Sequence, residues 1–172
     1  MGRGTERLHS MGNSSLKHFH FSGLDGVSGR WAAIREYNAK IQDRPPPGAQ
    51  EYVCSDWHYD HGDPRCPHDS WVKSIELKTT GAKAVVQAVR LCLLGAFHDR
   101  DIYFDYEGIL DFSIEGQLVI AGNLDWLYDE VHLCQSGSIE HVIEFEKAVI
   151  RIECSDLKYS STLLTGLRGD LE

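Results

Sequence analysis

The stretch AVVQAVRLCLLGAFHDRDIYFDYE, residues 84–107, decides the fold, and its first half can be read two ways. Val85, Val86, Val89, Cys92 and Leu93 recur at three- and four-residue steps and would line one face of a helix. Its second half favours a strand. His98-Asp99-Arg100-Asp101 has the polarity of a turn, and Ile102, Phe104 and Tyr106 then alternate with Tyr103, Asp105 and Glu107. Alternation with a period of two marks a half-buried strand, and two such segments around a four-residue connection make a hairpin.

The same pattern extends in both directions. Upstream, Trp71, Lys73, Ile75 and Leu77 alternate with Val72, Ser74, Glu76 and Lys78. Downstream, short strands are expected near 109–115, 117–121, 126–134, 139–146 and 148–155, separated by Gly108, Gly116, Gly122-Asn123, Ser136-Gly137 and Glu146-Lys147. In 126–133, Leu127, Val131 and Leu133 share one face, on which Asp129 is the exception. Tyr128, Glu130 and His132 take the other face. His132 and His141 thus fall on polar faces and read as surface residues. Short antiparallel strands with tight turns and no βαβ alternation imply a mainly β (α+β) fold, an antiparallel sandwich or open barrel.

Before the strands the chain differs. Residues 1–15 are small and polar and read as a disordered tail, with Met11 a candidate start; residues 16–172 read as one globular domain. His18 and His20 flank Phe19 as a short strand would place them. Trp31, Ile34, Tyr37 or Asn38, and Ile41 give helical spacing over about 28–43, and Pro45-Pro46-Pro47 ends that helix. Residues 48–70 then read as a long polar loop.

That loop holds the densest chemistry. Between Cys54 and Asp69 lie two cysteines, three histidines and four further acidic positions at Asp56, Asp60, Asp63 and Asp69 itself. Cys54, His58, His61 and Cys66 supply a Cys₂His₂ donor set for zinc, although their spacing matches no zinc finger. His58, His61 and His68 with Asp60 or Asp63 would leave an open position for a metal-bound water, the basis of a metal-dependent hydrolase. The plainer reading is a loop whose aspartates cap turns. Trp57, Tyr59 and Trp71 would anchor it or line a pocket. A second polar cluster, His98, Asp99 and Asp101, is either a hairpin tip or an imidazole oriented by a carboxylate.

Charge and composition restrict the function classes. The net charge of −9 is uneven: residues 1–100 sum to +2 and residues 101–172 to −11. So negative a half repels phosphate, which argues against nucleic acid and anionic membranes; it reads either as a solvated acidic face or as a docking face for a basic protein partner. No apolar run approaches the roughly 20 residues of a membrane span, and no apolar leader opens the chain. Five cysteines without a staple pattern fit reduced thiols in a cytoplasmic setting. Phosphate loops, dinucleotide fingerprints, G-x-S-x-G elbows and HExxH are absent from the sequence.

The order of PHDSW (67–71), LLGAFHDRDI (93–102), YEGILDF (106–112), LDWLYDEVHL (124–133), IEHVIEF (139–145) and IRIECSDL (150–157) resembles a group of small uncharacterised bacterial β-domain proteins, some found near toxin-immunity genes. The resemblance implies a β-domain and a non-enzymatic, immunity-like binding role; it implies no catalytic residue. Interaction with a basic partner is therefore the leading expectation, and the metal-dependent hydrolase is the alternative.

Overall fold

The structure, a computed structural model, describes residues 27–81, 85–116 and 125–165. The tail at 1–15, the histidines around Phe19 and the strand expected at 117–121 lie outside the described residues.

Two helices, α1 (Val27–Ile41) and α2 (Pro47–Val53), precede eight strands: β1 (Trp71–Thr80), β2 (Val85–Leu94), β3 (Arg100–Glu107), β4 (Asp111–Gly116), β5 (Trp126–Leu133), β6 (Ile139–Phe145), β7 (Ala148–Cys154) and β8 (Asp156–Leu163). The strands form two antiparallel four-stranded sheets, ordered β1-β2-β3-β8 and β4-β7-β6-β5. The fold is thus a β-sandwich and not a closed barrel. The ambiguous 85–94 segment is a strand, with Leu93 opposite Ile102 and Leu91 opposite Phe104. No helix among the described residues is long and apolar enough to cross a membrane.

One bent ribbon joins the sheets. β3 pairs with β8 in the first sheet and β4 with β7 in the second. The ladder continues through the corner, because Ser155 N donates to Glu107 O at 3.0 Å and Leu110 N to Glu153 O at 2.8 Å. Gly108 makes the bend possible: its φ is +62°, and a Cβ there would overlap the Ser155 side chain. Between the sheets lie Val89, Leu91 and Leu93 of β2, Ile102, Phe104 and Tyr106 of β3, Ile139 and Ile143 of β6, and Ile150 and Ile152 of β7. Cys92 and Cys154 are buried as small apolar groups, and all five cysteines are free.

Two sequence expectations need correction. The region expected to be loop from residue 48 begins with α2. Pro47 occupies the first turn, where its missing N–H costs nothing. Asp156, more than a hundred residues away, accepts the next two amides, Gly48 N at 3.1 Å and Ala49 N at 2.9 Å. Gly48 itself lies flush on β8, where a Cβ would overlap the Leu157 carbonyl oxygen.

The second correction concerns β5 and β6. A bulge at Leu127 puts Trp126, not Leu127, on the inner face with Asp129 and Val131. The outer face is covered as well, by α1: Ile34 packs on Val142, and Tyr37 Oη accepts Leu133 N–H at 3.0 Å. His132 is consequently buried beneath α1, and His141 is buried on the inner face beside Asp129; they are 4 % and 0 % exposed rather than on the surface.

Candidate functional site

The strongest convergence of titratable groups is centred on Asp129, the polar exception on the inner face of β5. Its Oδ2 accepts Tyr52 Oη–H at 3.0 Å, His58 Nε2–H at 3.0 Å and His141 Nε2–H at 2.9 Å; Trp126 Nε1–H points at Oδ1 from 3.3 Å. Tyr106 Oη–H then donates to His141 Nδ1 at 2.9 Å. Five elements meet here: α2 supplies Tyr52, the turns after it His58, β3 Tyr106, β5 Asp129 and Trp126, and β6 His141.

Protonation is set by these partners. Burial works against the Asp129 charge, but His58 and the hydrogen bonds from both imidazoles hold its carboxyl well below the usual range. Burial pushes His141 down, against the pull of Asp129, so its imidazole stays neutral near pH 7 with the proton on Nε2. Burial, reinforced by Asp129, lifts the Tyr52 and Tyr106 hydroxyls well above their ordinary range, so both remain donors.

A Tyr–His–Asp–His chain resembles a proton relay, but a relay needs access to substrate. Tyr52, His58, Tyr106, Asp129 and His141 are each at most 2 % exposed. On the outer side Tyr59 closes the cluster. Its ring stacks on His58 at 3.9 Å and its hydroxyl donates to the Asp129 carbonyl at 3.2 Å. Beyond Tyr59 lies a cavity of about 520 Å³ between α1 and residues 53–60, lined among others by Arg35, Asn38, Cys54 and Asp60. A further buried chain runs beneath α1: Glu130 Oε2 to His132 Nε2 at 2.6 Å, and His132 Nδ1 to Glu140 Oε2 at 3.2 Å.

The residues expected to hold zinc are not brought together. His58 is committed to Asp129. The Cys66 thiol donates to His58 O at 3.1 Å, and burial pushes it up to about 12, which disfavours the thiolate a metal needs. Cys54 is exposed at the end of α2. His61 and His68 do meet, edge to face with ring centroids 3.8 Å apart, but no group of three His, Cys, Asp or Glu side chains among the described residues is arranged to hold a metal ion. The aspartates do turn work: Asp60 Oδ1 accepts Gly62 N at 3.0 Å, and Asp63 accepts Arg65 N at 2.8 Å while also gripping its guanidinium. Asp69 takes a left-handed φ of 60° and donates its N–H to Trp126 O at 2.9 Å. Trp57 packs on Tyr159 at 4.4 Å under the Arg65 guanidinium, an anchor for the loop.

The second expected cluster also separates. His98 stacks against Trp71 at 4.3 Å, Asp99 pairs with Arg100, and Asp101 pairs with Lys73 at 2.7 Å. Of the groups that do converge, the sequence marks His58 for a different role, and it marks Tyr52, Tyr106, Trp126 and His141 for none. The one available signal is Asp129, a carboxylate on an otherwise apolar strand face.

The acidic second half is partly neutralised by the fold. Lys73 and Arg90, both from the first half, pair with Asp101 and Asp105 across the sheet. A smaller acidic concavity of about 250 Å³ remains where α2 meets β3 and β8, lined by Glu51, Asp105, Glu107 and Asp156 with Lys158. No family model and no curated protein matches this chain, so its function must be inferred from its own residues.

Proposed function

We propose that this protein is a non-enzymatic interaction domain that receives a basic side chain of a protein partner in the acidic notch between α2, β3 and β8. The observation that carries the reading is the notch itself: four carboxylates line it, and Glu51 and Glu107 are exposed there without a paired cation among the described residues. The Asp129 cluster supports it from the other side, because its imidazoles and carboxylate are spent on holding the core. A lysine or arginine entering the notch gains from Glu51 and Glu107 together, and the encounter is speeded by their field and weakened by salt. With the resemblance to proteins near toxin-immunity genes, the partner class becomes a basic toxin-type protein held in an immunity-like complex.

The test is backbone amide shift mapping with an arginine-rich peptide, at low and high salt, on the natural chain and on a Glu51→Lys, Glu107→Lys double variant. Shifts confined to residues 47–51, 105–107 and 156–158, lost in the variant and in salt, support the proposal. Equal binding by the variant, or shifts centred elsewhere, refutes it.

A further inference from the structure

We infer that β1 is an interface for a second copy of this chain, paired antiparallel through a two-fold axis at Leu77. In the first sheet β1 is an edge strand. Among the described residues its outer side meets only the single bridge from Trp71 to Asp125. Glu76, Leu77, Lys78, Thr79 and Thr80 are all exposed, and Leu77, at 49 %, shows solvent a large apolar side chain. The strand contains no proline, and its backbone groups on that side are a template for another strand.

The side-chain pattern determines which strand fits. β1 pairs Glu76 with Arg90 and Lys78 with Ala88 of β2, so Ser74, Glu76 and Lys78 share the outer face of the sheet, while Ile75 and Leu77 take the inner face. An antiparallel pair of identical strands about residue 77 sets Glu76 opposite Lys78 of the other copy, twice by symmetry. It also sets Leu77 on Leu77, Ile75 on Thr79 and Ser74 on Thr80. Moving the axis one residue either way keeps the faces matched but sets Glu76 on Glu76 or Lys78 on Lys78. Like charges directly opposite one another destabilise a pair, and opposite charges stabilise it. The edge therefore accepts its own copy in one register and opposes the two adjacent ones. Neither Glu76 nor Lys78 forms an ion pair among the described residues; Arg90, opposite Glu76 on β2, is held by Asp105. The isologous contact closes after two copies and extends the four-stranded sheet to eight strands. It is independent of the acidic notch, which lies beside β8 at the opposite edge.

Sedimentation velocity on the full chain over a concentration series tests this. The natural chain is expected to dimerise. Glu76→Lys alone and Lys78→Glu alone each place like charges across both symmetric contacts and weaken the dimer by about tenfold or more. An equimolar mixture of the two variants restores dimerisation as a heterodimer, because the lysine introduced at position 76 then faces the glutamate introduced at position 78. Recovery in the mixture also shows that both variants are folded. A natural chain that stays monomeric throughout, variants that dimerise as tightly as it does, or a mixture that behaves as its separate components overturns the proposal.

Discussion

Replacing Asp129 by alanine tests whether the buried cluster holds the fold together. The substitution removes the acceptor of four buried donors: Tyr52 Oη, Trp126 Nε1 and the Nε2 atoms of His58 and His141. The vacated space has the size of one carboxylate, and one water placed there could accept two of them. The others stay buried and unpaired at about 1–3 kcal/mol each. Taken with the lost charge pairing, a loss of about 3–5 kcal/mol is expected, a large share of the roughly 5–15 kcal/mol that keeps a domain folded. At this chain length that corresponds to a melting temperature lower by roughly 6–20 °C. Asp129→Asn should lose less, about 1–3 kcal/mol. Its amide can donate to His58 Nε2 once the His58 proton moves to Nδ1, but that atom has no acceptor among the described residues, so part of the cost remains. The assay is urea unfolding followed by tryptophan fluorescence, with Trp126 reporting from inside the cluster. An alanine variant within about 1 kcal/mol of the natural chain would show that the network contributes little, and the account would fail.

Two further outcomes are expected from the geometry. Gly48→Ala drives a methyl group into the Leu157 carbonyl and should cost about 1–3 kcal/mol. Amide hydrogen exchange in α2 should accelerate and peptide binding at the notch weaken; unchanged exchange would mean that α2 does not depend on this contact. The second concerns pH. His141 is held below its ordinary value, near 6.5, so in acid the unfolded chain takes up a proton that the folded chain refuses. Its contribution to stability is whole above about 6.5 and is lost as pH falls toward its lowered folded value. Melts between pH 7 and pH 5 should show the midpoint falling, and less steeply in His141→Gln; a midpoint that rises toward pH 5 would contradict the assignment of a neutral imidazole.

Most of the strands were legible because their signal is local, although β8 (Asp156–Leu163) was not among those expected. Ile102, Phe104 and Tyr106 alternate with polar neighbours whatever the rest of the chain does, and Gly108 marks a turn by its own conformational freedom. Such features determine the β class and the antiparallel hairpins before any tertiary contact forms. The helix at 47–53 was not expected because a proline run reads as a stop, although Pro47 also suits a first helical turn, and the amides that follow are capped by Asp156 on a distant strand. Burial of His132 could not be read either, because alternation shows that a face is polar and not whether α1 will cover it. His58 was visible as a metal-type residue, yet only the assembled sandwich gave it Asp129 as its partner. Charge behaved the same way: the −11 of residues 101–172 belongs to the sequence, while its neutralisation by Lys73 and Arg90, and the notch left over, belong to the fold. The sequence by itself determined periodicity, turns and net charge, which are properties of near neighbours. Tertiary structure decided which polar groups are buried, which charges meet and where a cavity opens, because those depend on residues brought together from far along the chain.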